Sequence, residues 1–164
     1  MPHETRIAYF EHAQDILEAT ISLIQSGQRC ALVASLSIEG GAAREVGSLA
    51  VIAQTGTMTG YLSNGCIDRD IMQHGLNTIE TRQVKHIHYG TGSPYMDLKL
   101  RRGGALELVI DPEPNLNTLC AALETLHGRD LATLSFAPEA GLVPSGQGGF
   151  QFQYAPKPAL VVAG

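Results

Sequence analysis

The chain has 164 residues, 44% of them hydrophobic, which is enough for one domain with a true core. Its 16 acidic side chains outnumber 11 basic ones, for a net charge of −5, and with only 5% aromatic residues this argues against a general nucleic-acid binder. No apolar run can span a bilayer, the first residues lack a signal peptide's apolar core, and Cys30, Cys66 and Cys120 show no CxxC spacing; the expectation is a cytoplasmic protein with no membrane partner, no disulfide framework and no zinc site.

The first element is an amphipathic helix over about 8–26, where Phe10, Ala13, Leu17, Ile21 and Ile24 recur at threes and fours and Gly27 closes the run. His12 falls on its polar side and reads as solvated. Residues 29–37, RCALVASLS, are dense in apolar and small side chains and read as a buried strand, with Cys30 in the core. A glycine-rich loop over 38–45 then carries a lone cation, Arg44. Its fork of donors suits a carboxylate or phosphate, and it could equally pair with Glu39 or Glu45.

Two apolar runs, 48–54 and 58–62, flank Thr55-Gly56-Thr57 and predict a hairpin. A sharp turn follows, Ser63-Asn64-Gly65-Cys66-Ile67-Asp68, entering a helix with Ile71 and Met72 on its apolar side and His74-Gly75 as its stop signal. Ser63 or Asn64 is the expected N-cap. Free N–H groups and partial positive charge at a helix start suit an anion and stabilise a thiolate, so Cys66 there would have a depressed pKa if partly exposed. Gly65 would let a ligand approach the backbone. The turn therefore reads either as a site for a phosphate-bearing or thiol-reactive ligand, or as ordinary capping around a buried cysteine. Asp68 and Asp70 favour the helix dipole in any case, and Asp68 could also serve as a hydrogen-bond acceptor or base beside Cys66.

Residues 83–89 alternate as a half-exposed strand with His86 and His88 on one face, and no third ligand lies at a metal-site spacing. A glycine-bracketed loop over 90–104 holds the chain's one adjacent arginine pair, Arg101-Arg102, which fits either an anion or plain solvent exposure. A strand at 105–110 and a helix at 114–127, with Cys120 on its apolar stripe, come next. Residues 131–136 and 149–154 form an expected antiparallel pair joined by a polar Gly/Pro loop. Together these predict an α/β or α+β fold, a mixed sheet of about five or six strands with three helices packed on it. The domain boundary is set at 1–154, with 155–164 a Pro-rich linker and the opening apolar strand of a truncated Rossmann-like domain.

The run Gly40-Gly41-Ala42-Ala43-Arg44-Glu45-Val46-Gly47, followed by Gly56, Gly60 and Ser63-Asn64-Gly65-Cys66-Ile67-Asp68, resembles the XdhC/CoxI family of molybdenum-cofactor accessory proteins. Arg44, Gly47, Gly56, Gly60, Ser63, Gly65 and Cys66 fall in the family's order and spacing, and Arg102-Gly103-Gly104 is similar to its second signature, with Arg102 in place of a cysteine. Asn64 replaces a glycine and Asp68 a glutamate of the pattern. The resemblance implies a chaperone, rather than a catalyst, that binds molybdopterin-type cofactor, protects it during sulfuration and delivers it to an apo molybdenum hydroxylase of the xanthine dehydrogenase kind. It implies binding through Arg44, Ser63, Asn64, Gly65, Cys66, Asp68 and Arg102, a cysteine desulfurase as a further partner, and a nucleotide in the domain beyond residue 164; the long N-terminal helix and the apolar ending point to a homodimer. Cys66 as a sulfur-carrying nucleophile and a purely docking module remain the alternatives.

Overall fold

The computed structural model describes residues 6–8, 10, 12–40, 44–63, 67–90 and 104–159. In chain order these form β1 (Arg6–Ala8), α1 (Ala13–Gln25), β2 (Cys30–Glu39), β3 (Leu49–Ala53), β4 (Thr57–Thr59), α2 (Asp68–Thr81), β5 (Lys85–Tyr89), β6 (Ala105–Asp111), α3 (Leu116–His127), β7 (Ala132–Ala137), β8 (Gly141–Val143) and β9 (Phe150–Tyr154). The main sheet has six strands in the order β1-β4-β3-β2-β6-β5, and a smaller one runs β8-β7-β9. Only the β1–β4 pairing is parallel among these strands, so the main sheet is mixed, as expected.

The strand β2 is apolar on both faces, and this places it at the centre. Leu32, Ala34 and Leu36 face α1, α3 and the smaller sheet, whereas Ala31 and Val33 face α2. Two cores result, one on each side of the main sheet. Ile16, Leu17 and Ile21 of α1 and Leu119 and Leu126 of α3 are buried in the first; Ile71, Met72 and Ile79 of α2 are buried in the second. Each fully buried aliphatic side chain contributes about 1.5–3 kcal/mol.

Four expectations need correction. The first helix begins at Ala13 rather than near residue 8, because 6–8 pair with β4 and the Ala8 carbonyl accepts from the Gly60 N–H at 2.8 Å. Gly75 does not stop α2. The helix runs on to Thr81, and Gly75 sits where the Ile52 side chain presses against the helix, so that a Cβ there would overlap it. The stop is Arg82 in the left-handed conformation, at φ 57°. The N-cap of α2 is Ile67, with no side-chain cap, rather than Ser63 or Asn64. The polar loop after β7 contains a strand, β8, whose short Gly-Leu-Val run left too little pattern to read. Cys30 is buried, and Cys120 is half-buried against the first core. The run 155–159 holds no regular structure, and residues 160–164 lie outside the described ones.

Candidate functional site

The hairpin β3–β4 brings the chain back to the end of the main sheet where β2 finishes. There the connection into α2 is held by a single carboxylate. Asp68 is fully buried at the first residue of the helix. Its Oδ1 accepts the Leu62 N–H at 2.8 Å and the Ser63 N–H at 3.1 Å, and its Oδ2 accepts the Ser63 hydroxyl at 2.9 Å. A buried carboxylate requires such donors. The bracket draws residues 62 and 63 against the start of α2. Asn64, Gly65 and Cys66, like Arg101 and Arg102, lie outside the described residues. Asp68, expected as a dipole-favouring or basic group, is thus the clasp of the turn, and Ser63, expected as a cap, is one of its donors.

Arg44 lies beside this turn. Its Nη1 donates to the Tyr61 carbonyl at 2.8 Å, and its guanidinium stands 4.9 Å from the centre of the Tyr61 ring, a cation–π contact. The loop after Arg44 is anchored from three directions. Gly47 N–H donates to the Ser35 carbonyl at 2.8 Å, the Ser48 hydroxyl donates to the Glu45 carbonyl at 2.6 Å, and the Tyr154 hydroxyl of β9 donates to the Gly47 carbonyl at 2.6 Å. Gly47 has φ 80° and lies so close to the Phe152 ring that any Cβ would collide with it. Burial pushes the Tyr154 phenol above its ordinary pKa, against the opposing pull of Arg44. Between this loop, the start of α1, Tyr61 and β9 opens a cavity of about 590 Å³. The residues Tyr61, Gln151, Phe152, Gln153 and Tyr154 were missed by sequence reasoning. The alternation FQFQY was legible as a strand, but nothing local shows that it borders the Arg44 loop.

The structure thus brings Arg44, Ser63 and Asp68 to one end of the sheet, Arg44 through Tyr61 and the other two through each other. Behind α2's first turn, the Tyr89 hydroxyl donates to Asp70 Oδ2 at 2.5 Å, His74 Nε2 lies 3.2 Å from the same oxygen, and the Lys85 ammonium donates to His74 Nδ1 at 2.9 Å. Burial first, and then Lys85, hold the His74 pKa below its ordinary value, with Asp70 opposing. His86 and His88 are exposed on one strand face, as expected, and among the described residues no group of side chains could hold a metal ion. At the opposite end of the sheet, burial and then the negative charge of Asp111 raise the Cys30 thiol to about 11, so this cysteine is no nucleophile at neutral pH.

Residues 23–90, from the last turns of α1 through β5, match the XdhC and CoxI family, and this span contains Arg44 and the Ser63–Asp68 clasp. Residues 23–90 belong to the XdhC and CoxI family. The chain is 31% identical over 125 residues to the molybdenum cofactor insertion chaperone PaoD of Escherichia coli K12, a match covering 76% of this chain and 39% of PaoD. In three dimensions it is similar to a solved Bacillus halodurans protein described as a xanthine dehydrogenase. That superposition has a TM-score of 0.67 at 16% identity and covers 89% of this chain and 53% of the other. At that identity the likeness concerns the fold. The chain spans about two fifths of the curated relative's length and about half of the solved structure's. Among the described residues, no helix is long and apolar enough to cross a membrane.

Proposed function

We propose that this XdhC/CoxI domain is the cofactor-holding part of a molybdenum-cofactor accessory protein. It binds a sulfurated molybdopterin-type cofactor as cargo and passes it to an apo molybdenum hydroxylase, with no turnover of its own. The observation that carries the reading is the clasp. Among the described residues, a buried carboxylate spends three hydrogen bonds on tying Leu62 and Ser63 to the start of α2 rather than on a core, beside an arginine anchored to the Tyr61 carbonyl. Such an arrangement holds Leu62, Ser63 and Asp68 together, and a cargo with an anionic phosphate and soft sulfurs needs a preorganised, protected receptor. The name of the similar PaoD protein supports the same cargo. In this reading Cys66, Asn64, Gly65 and Arg102 complete the site, and a desulfurase and a second copy of the chain are its further partners.

The test is retention of molybdopterin released from a mature hydroxylase, measured as pterin fluorescence after gel filtration with the full chain. Wild type retains pterin; Cys66→Ala and Arg44→Ala lose most of it while keeping their circular dichroism. Absence of retention by the folded wild type overturns the reading.

A further inference from the structure

Between α2 and β5 runs a line of four polar side chains that the cargo reading does not use. Asp70 and His74 are one turn apart on α2 and share a face. Lys85, Ile87 and Tyr89 alternate along β5, and Ile87 and Tyr89 are buried in the same core as Ile71 and Met72, so this face of the strand turns towards α2. The helix and the strand are consecutive, and their packing sets Tyr89 against Asp70 and Lys85 against His74.

The hydrogen bonds in this line have a direction. A lysine ammonium donates and cannot accept, so His74 Nδ1, 2.9 Å from Lys85 Nζ, presents its lone pair. The ring proton then sits on Nε2, which faces Asp70 Oδ2 at 3.2 Å. The fully buried Tyr89 donates its hydroxyl to that same oxygen at 2.5 Å and holds the carboxylate in place. Burial first, and then Lys85, keep the His74 pKa low, so the ring is a neutral acceptor at pH 7. An amine on an imidazole that is itself oriented by a carboxylate is the arrangement that activates a nucleophile.

A second lysine supplies the contrast. The chain has three lysines, of which Lys99 lies outside the described residues. Lys157 donates to the Asp15 carboxylate at 2.8 Å, and this hydrogen bond raises its pKa and keeps it an ammonium. Lys85 meets an uncharged base instead. It is half-buried on β5, the last strand of the main sheet.

We propose that Lys85 is an acylation site, where Nζ takes the acyl group of a thioester with His74 as its base and with Asp70 and Tyr89 positioning the imidazole. One proton passes from Nζ to His74 Nδ1. The freed lone pair attacks the acyl carbon and forms the C–N bond. The C–S bond breaks, and the leaving thiolate takes the proton from the imidazolium. A second proton goes from Nζ to water, leaving a neutral amide and a thiol. A thioester uses both halves of this cycle, because its leaving group needs the proton that His74 has just gained. The site stands whether or not the chain carries a cofactor.

The test incubates the full chain with acetyl-coenzyme A at neutral pH and follows each lysine by peptide mass spectrometry, with Lys157 as internal standard. Lys85 should be acetylated about a hundredfold faster than Lys157, the lower end of what a positioned base contributes. His74→Gln keeps an acceptor for Lys85 but no base, and should slow Lys85 by about the same factor while Lys157 and the circular dichroism stay unchanged. Nitrogen-15 spectra of the histidine rings read the tautomer in wild type without any variant: Nδ1 bare and Nε2 protonated. Asp70→Asn should shift that tautomer towards Nδ1–H and slow Lys85, an effect that a merely structural role would not produce. The proposal is overturned if Lys85 reacts no faster than Lys157, if folded His74→Gln reacts at Lys85 as wild type does, if wild-type His74 carries its proton on Nδ1, or if Asp70→Asn changes neither tautomer nor rate.

Discussion

The two ends of the main sheet make a natural experiment in what a buried carboxylate is for. At one end Asp68 closes the turn into α2; at the other Asp111, the last residue of β6, accepts the Glu113 N–H at 2.9 Å through Oδ1 and the Leu142 N–H at 2.9 Å through Oδ2. Both groups are nearly or fully buried, and both accept from two backbone N–H groups, Asp68 from the Ser63 hydroxyl as well. Asp111 ties β6 to the smaller sheet beside an inert thiol, with Gly141 packed directly against its carboxyl. Asp68 ties Leu62 and Ser63 to the first turn of α2, next to an arginine and a cavity. The same device joins two sheets at one end and ties the entry of a helix at the other.

The sharpest way to break that contrast is to remove each carboxylate. Asp68→Ala leaves two backbone N–H groups and a hydroxyl without their acceptor, and should cost about 3 kcal/mol in urea unfolding and abolish cofactor retention together. Asp111→Ala should cost less, about 2 kcal/mol, and leave retention by the folded fraction unchanged. The difference has a cause. Among the described residues Asp68 accepts three hydrogen bonds and Asp111 two, so the first variant strands one more buried donor than the second. The same variant should lower the Cys30 pKa from about 11, because a negative neighbour is gone; alkylation rates of the native protein against pH measure it. In wild type, Cys30 should react with Ellman's reagent only on unfolding.

A smaller effect is expected at the loop anchor. Tyr154→Phe removes one hydrogen bond to Gly47 and should cost about 1 kcal/mol, with a weakening of ligand binding at Arg44 out of proportion to that loss. The smallest concerns pH. The His74 pKa is lowered on folding, so below its ordinary value of 6.5 the unfolded chain takes up the proton first. The stabilising contribution of neutral His74 is complete above 6.5 and is lost as pH falls through the lowered folded value. His74→Gln should flatten this part of the stability–pH curve, and equal slopes in wild type and variant would refute the assignment.

Much of this architecture was legible because the elements obey their periods. The hairpin, the strand at residues 83–89 with its outward histidines, and α3 with its apolar stripe all fall where alternation or three-four spacing puts them. Gly75 was misread because a glycine near a histidine looks like a stop, when the reason for it is the Ile52 side chain on the facing strand. Such a reason is tertiary and leaves no local trace. The site divides in the same way. Arg44, Ser63 and Asp68 were readable from motif order, but the role of Asp68 required knowing that it is buried, and Tyr61 and the β9 glutamines required knowing which strand borders which loop.

The parallel pairing of β1 with β4 carries a consequence for the order in which the molecule assembles. Arg6 pairs with Thr57 across α1, β2 and β3, so the strand cannot dock until the hairpin exists to receive it. Closing so long a loop for three residues of pairing is entropically costly. The amino-terminal strand is therefore the last piece to arrive and the first to leave, and its amides should exchange with solvent well before those of β2, which is sealed between two neighbours and two cores.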